Sequence, residues 1–198
     1  MKNLLVFFLA AFIWSCPLIS KGQDLTFVNH SELGLLTGSD NSGPRNNFTF
    51  QTFNGFQLTR RHAVGFVTGL DQYANYSVLP LALGWRGVLN PKNKWQMYGA
   101  GELGYGSAVF EREEVNEWGQ HNWRKGGVMG QVTIGFRYKT KKANFWTLSV
   151  SLKRQIGYFY TGNPSRLSPN RNRPEDWNYF EVDKVTFNNL VYRIGYWF

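Results

Sequence analysis

His30, Ser31 and Glu32 set the three residue types of a nucleophilic triad side by side. That chemistry needs an imidazole within hydrogen-bond reach of the hydroxyl whose proton it takes. Adjacent side chains of an extended segment point to opposite faces, so His30 and Ser31 cannot meet there. His121 stands near Glu111, Glu113, Glu114 and Glu117, but no spacing in that group matches a recognised metal-ligand pattern. The reading there is a solvated acidic loop with no more than weak cation affinity. His62 falls in a turn. Gly99-Ala100-Gly101 and Gly104-Tyr105-Gly106 look like phosphate loops in composition only. They lie within an alternating strand and open no helix, so the phosphate reading lacks its physical context. Close packing in a narrow interior explains them instead. No catalytic, cofactor-binding or metal-binding residue is expected, and the chain reads as a non-enzyme.

Charges in alternating segments carry more weight. Glu32, Arg86, Glu102, Arg137, Lys153 and Arg193 each stand in the polar phase of such a segment. A strand sends alternate residues to opposite faces, so these six are expected to point one way and the apolar residues the other.

Eight segments of this kind must position them. The clearest is the last, in which Leu190, Tyr192, Ile194, Tyr196 and Phe198 oppose Asn189, Val191, Arg193, Gly195 and Trp197. Over residues 145–160, Trp146, Leu148, Val150, Leu152, Ile156, Tyr158 and Tyr160 share a face interrupted once, by Arg154. Val128, Val132, Ile134, Phe136 and Tyr138 repeat the pattern, and weaker versions run through residues 27–35, 48–58, 64–70, 79–86 and 95–105. Asn54-Gly55 is a strong hairpin signal. Turning there would leave strands shorter than the ~9–11 residues a tilted spanning strand needs, so the second strand is run through to a turn at Arg60-Arg61-His62. Residues 90–94 and 140–144 are further short connections; 39–46, 110–126 and 161–185 are longer and 72–76 is modest.

The sum is an all-β chain: an eight-stranded antiparallel up-and-down transmembrane barrel over residues 24–198. Short and long connections then alternate as periplasmic turns and outer loops do in such barrels. Trp85, Trp95, Tyr138, Trp146, Tyr196 and Phe198 are expected to form one aromatic girdle, and Tyr76, Tyr105, Tyr158 and Tyr160 another at the outer rim. An eight-stranded barrel is just wide enough inside for side chains to fill. Charges in it must be paired or hydrogen-bonded, so the six form an expected network around Glu32 and Glu102 that closes the lumen.

Residues 1–23 read as a signal peptide that is cleaved off. Lys2 precedes the apolar run Leu4–Trp14, which is too short for the ~20 residues of a spanning helix. Cys16, the single cysteine, lies in that leader, so the mature chain would have no thiol chemistry. The net charge of +9 falls to +7 without Lys2 and Lys21, and the basic residues sit mostly in turns and loops. Lipid head groups and lipopolysaccharide phosphates are the expected partners rather than nucleic acid. In the last long loop, Arg171 and Arg173, with Trp118, Trp123 and Trp177 on neighbouring loops, are a candidate contact surface for lipopolysaccharide or a protein partner.

The ending Leu190-Val-Tyr-Arg-Ile-Gly-Tyr-Trp-Phe198 resembles the C-terminal signal of outer-membrane barrels, which the barrel-assembly machinery recognises. Ser31–Leu36, Gln51–Gly55 and Val64–Asp71 are similar to the first three strands of the small outer-membrane β-barrel proteins common in Bacteroidota. The resemblance covers residues 24–198 and implies the fold and the outer membrane, but no reaction. Outer-membrane lipid A deacylases use a His-x-Ser spacing, which this chain lacks. Three rivals to a structural or surface-binding barrel remain: a narrow porin-like conduit, a lipid-modifying enzyme, and a soluble lipocalin-like barrel, which would turn its apolar residues inward.

Overall fold

A computed structural model describes residues 25–40, 43–73, 76–141, 144–165 and 176–198. The expected leader over residues 1–23, with Cys16, lies outside the described residues, as do Arg171 and Arg173.

Ten strands form one antiparallel sheet: β1 (Thr26–Asp40), β2 (Gly43–Gln57), β3 (His62–Gln72), β4 (Ser77–Val88), β5 (Trp95–Ser107), β6 (Glu114–Val115), β7 (His121–Lys125), β8 (Gly127–Lys139), β9 (Phe145–Pro164) and β10 (Trp177–Trp197). Eight of them close a ring in the order β10-β1-β2-β3-β4-β5-β8-β9, because β10 pairs with both β1 and β9. The seam between β1 and β10 runs from His30↔Trp197 to Thr37↔Leu190, and beyond it the Asn29 and Phe198 backbones exchange hydrogen bonds of 2.8 and 2.9 Å. Short β6 and β7 stand outside the ring: β7 pairs with the far half of β9, Tyr158–Gly162, past the point where β8 ends.

The alternation sorts side chains as their polarity demands. Leu33, Phe66, Leu103, Val132, Ile134, Leu148, Leu152 and Ile194 all face out and are at least half exposed. At one end Trp95 packs on Tyr138 and Trp146 on Tyr196, with ring centroids 4.7 and 5.2 Å apart, and Phe198 lies 6.1 Å from Tyr196. The turns at this end are short. Leu58 and Thr59 amides donate to the His62 carbonyl, and Gln96 fastens residues 90–94 by donating to the Pro91 and Asn93 carbonyls.

The second strand does run through Asn54-Gly55, and the packing shows why. Gly55 and Gly65 are directly paired, and Phe53 is fully buried inside the ring beside them. A Cβ on Gly65 would sit 2.2 Å from the Asn54 carbonyl oxygen and 2.5 Å from the Gly55 Cα. This glycine pair therefore serves close strand approach rather than a turn. Gly65→Val is expected to cut the yield of folded protein several-fold on refolding into micelles, read by gel mobility before and after boiling. Wild-type yield would dismiss the close-packing account.

Four expectations need correction at the other end. Residues 39–46 are not a long loop: β1 and β2 continue in register to Asp40↔Gly43, leaving two residues between them. Their outer parts are polar, with Thr37 donating to Asn46 at 2.9 Å, so apolar alternation could not trace them. Residues 110–126 contain the β6–β7 hairpin. Within the range 161–185, residues 161–164 and 177–185 are strand, because β9 runs to Pro164 and β10 starts at Trp177. Tyr76 is not a rim residue but is buried against Tyr73, Phe159 and Phe187.

Candidate functional site

Two regions gather side chains with chemical capacity: the lumen and the sheet that projects beyond the ring.

The lumen is layered. Val28, Phe53, Val67, Tyr98 and Trp197 belong to one apolar cluster that starts at the short-turn end and reaches Met129, two residues beyond the level of Glu102 and Lys153. Toward the far end, Leu36, Tyr73, Tyr76, Val78 and Val191 form another, with Phe159 and Phe187 packed on it. Burial, with the Asp71 carboxylate adding, pushes the Tyr73 and Tyr76 phenols above their ordinary range, so both stay protonated.

Among these clusters lie the buried charges. Arg86 Nη2 donates to Glu102 Oε1 at 2.6 Å, and Gln51 Nε2 donates to the same oxygen at 2.5 Å. Glu32 Oε1 accepts from Ser149 at 2.7 Å and Tyr98 at 3.3 Å, with His30 Nε2 3.6 Å away. Lys153 is ion-paired with Asp71, which also accepts from Thr49 at 2.7 Å; Thr49 in turn accepts from Arg193 at 3.1 Å. Three carboxylates thus face three cations in the middle of the ring. Arg137 is not among them. It stacks over Phe145 and Trp197 at 4.0 and 4.5 Å and donates to Gln96 at 2.7 Å, near the short-turn mouth.

Five of the six sequence-selected charges are therefore brought into one polar layer, in three clusters, and Arg137 is set apart below it. The sequence puts His30 on the polar face with Glu32, but its reading counts neither His30 nor Asp71 among the inward charges. Asp71 ends a strand next to a polar stretch and was assigned to no face, although its phase with Gly69 and Val67 could have placed it inside. Ser31 faces outward, where it bonds Asn29 and Thr52 at 3.0 Å each, while the His30 ring is inside, stacked on Trp197. The triad residue types are thus split across the wall, as strand geometry requires. Asn29, Ser31, Thr52 and Asn54 form a mutually hydrogen-bonded polar cluster on the otherwise apolar exterior.

The projecting sheet is built on the outer halves of β9 and β10, with β7 and β6 added at one edge. On its outward face Trp123 stacks on Tyr160 at 5.2 Å and lies 4.9 Å from Trp177 and 5.8 Å from Phe180. Lys125 lies over the Tyr160 ring at 5.0 Å. On the opposite face Arg124 donates to Glu111 at 2.7 Å, and Glu111 accepts from the Ser77 amide at 2.8 Å, tying the hairpin to the ring. His121 is paired with Glu113 rather than held with several carboxylates. Among the described residues no group of three or more histidine, cysteine or acidic side chains could hold a metal ion. Exposed Tyr179 donates to Glu181, and that bond is the first cause of its raised phenol pKa. Among the described residues Trp118 is the most exposed large apolar one, at the tip of the β6–β7 hairpin.

No family model matches the chain, and no curated protein matches it. Among solved structures, the crystal structure of Neisserial surface protein A is similar to it with a TM-score of 0.49 and 11% identity, covering 85% of this chain and 95% of that one.

Proposed function

We propose that this chain is an exported protein of the bacterial outer membrane whose closed barrel serves as a rigid mount for a surface-binding sheet. Residues 1–23 direct export, and residues 24–198 form the integral barrel. One observation carries the reading: the barrel is inside-out relative to a soluble one. Its exterior is a belt of leucine, isoleucine, valine and phenylalanine, and its interior holds glutamate, aspartate, arginine and lysine. In water that belt would be an unpartnered apolar surface far beyond the few hundred Å² a soluble monomer leaves exposed. Lipid satisfies it, and a closed ring leaves no backbone edge unpaired within the bilayer. The lipocalin-like alternative requires the opposite polarity.

The lumen supports a mount rather than a conduit, because two apolar clusters and the ion pairs Arg86–Glu102 and Lys153–Asp71 fill it. The terminal residues Leu190, Tyr192, Ile194, Tyr196 and Phe198 act as the signal read by the barrel-assembly machinery, and membership of the small Bacteroidota barrels belongs to the same reading. Loops and edges on a rigid scaffold are where binding usually resides. Exposed Trp118, Tyr179 and Phe180, on the sheet packed around buried Trp123 and Trp177, form the surface offered to lipopolysaccharide or a protein partner.

Membrane fractionation with gel mobility before and after boiling tests the reading. The full chain is expected in the outer membrane as a heat-modifiable band, and deleting Phe198 should lower that fraction several-fold. In planar bilayers the purified protein should give no steady conductance. A soluble periplasmic product would sink the membrane reading, and steady ion flow would replace the mount by a narrow conduit.

A further inference from the structure

The outward face of β9 and β10 changes character along its length. From Trp146 through Leu148 and Val150 to Leu152, and from Tyr196 through Ile194 and Tyr192 to Leu190, it is apolar or aromatic. The next outward pair is Arg154 opposite Asn188, and both are exposed. Two steps further, Tyr158 lies between Lys184 on β10 and Lys125 on β7, its directly paired neighbours. Three cations therefore share one outward face within two turns of the pleat. The acidic residues of the same stretch, Glu181 and Asp183, take the other phase of β10 and so the other face. Among the described residues neither Arg154 nor Lys184 has a carboxylate within 4.0 Å.

Height and shape identify what fits there. Arg154 is about nine residues along β9 from Phe145; at ~3.3 Å per residue and ~40° tilt this is roughly 23 Å above the short-turn end. An apolar band is ~25 Å tall, so the cations stand where acyl chains give way to head groups. Beside Arg154 on β8, Gly130 pairs with it and carries no side chain, leaving a crevice of about 570 Å³. Gly130, Val132, Leu152, Arg154, Asn188 and Leu190 line it. A mainly apolar crevice with Arg154 at its edge, and Lys184 and Lys125 farther along the same face, is complementary to an amphiphile with a phosphate head and acyl chains.

We propose that Arg154, Lys184 and Lys125 bind the phosphate of an outer-leaflet lipopolysaccharide molecule, one of whose acyl chains occupies the crevice beside Gly130. The assignment rests on the outer-membrane reading above and names a ligand for it. Lys125 and Lys184 flank Tyr158 as two strand-separated point charges, and Arg154 supplies a planar fork at the base. Asn188 adds a donor beside Arg154.

The test uses the full mature chain folded in zwitterionic micelles and titrated with phosphorylated lipid A, enzymatically dephosphorylated lipid A or phosphatidylglycerol, with binding read by native mass spectrometry. The Arg154→Gln/Lys184→Gln double variant should bind phosphorylated lipid A roughly thirtyfold more weakly, at ~1 kcal/mol for each cation removed. A Lys94→Gln/Lys139→Gln control at the short-turn end should bind as wild type. Equal affinity for dephosphorylated lipid A, or an unaffected Arg154/Lys184 variant, would overturn the site. Equal affinity for phosphatidylglycerol would overturn lipopolysaccharide as its ligand. Heat-modifiable mobility, scored in every sample, separates these results from failure of the barrel: a chain that never folds in micelles overturns the membrane reading itself.

Discussion

Lys153→Met, with Asp71 left in place, lowers the stability of the folded barrel by about 3–5 kcal/mol, the usual cost of stranding one member of a buried ion pair. Both side chains of this pair are fully buried. Removing the ammonium leaves a carboxylate whose remaining support is the Thr49 hydroxyl at 2.7 Å. Arg193 does not take over, because its guanidinium reaches Thr49 rather than Asp71. The variant Asp71→Asn/Lys153→Met should recover much of the loss, since the amide oxygen still accepts from Thr49 and no net charge is left behind. Urea unfolding of micelle-refolded protein, followed by tryptophan fluorescence, measures both. A single-variant cost below about 1 kcal/mol would show a lumen wet enough to solvate the stranded charge, and would weaken the closed-lumen reading with it.

Ile134→Arg is the second large effect and bears on the exterior. Ile134 is outward-facing and 58% exposed, about five residues from the short-turn end of β8 and so near mid-height of the apolar belt. At the midplane of a bilayer an arginine on a barrel's lipid face costs about 2–4 kcal/mol. In a water-soluble protein the same change at an exposed position would stay within about 0.5 kcal/mol. Val115→Arg, on the projecting β6 and 56% exposed, serves as the matched control and should be near neutral in either case. Unfolding from lipid vesicles reads both, and a neutral Ile134→Arg would contradict the membrane assignment directly.

The barrel was legible in sequence to the extent that lipid and lumen impose opposite demands on alternate residues. Where Ile134, Phe136 and Tyr138 face lipid and Thr133, Gly135 and Arg137 face inward, the pattern names the face of every residue. Past the apolar belt that contrast disappears. Both faces of β10 between Asn178 and Val185 are exposed, so a strand there looks like a loop. The same loss of contrast hid the outer ends of β1 and β2. The inward charges were legible one by one, but their partners were not. Pairing depends on which strands are neighbours around the ring and on reach across it, as between Asp71 and Lys153, which are 82 residues apart. Arg137 shows the limit from another side: its phase correctly puts it inside, yet its partners are the aromatic rings of Phe145 and Trp197 rather than a carboxylate. The cationic face on β7, β9 and β10 depends on a pairing between β7 and β9 that no local pattern announces.

The seam between β1 and β10 governs how the ring comes to exist. Six of the eight ring contacts join strands adjacent in the chain or separated by one short turn, and they can zip locally as successive hairpins. Joining β5 to β8 spans the β6–β7 hairpin at modest extra loop entropy. Joining His30 to Trp197 instead connects positions near opposite ends of the described chain through eight registered pairs, whereas β9 and β10 share a ladder along almost their full length. A contact of such sequence separation is slow to form and gains little until every other strand is in place. Ring closure is therefore the last and rate-setting event, and the strand that ends in Tyr196, Trp197 and Phe198 is the one left open until then. Whatever holds that strand during insertion acts as a clasp on an unfinished cylinder, and the order of synthesis, from β1 to β10, is also the order in which the cylinder can be wound.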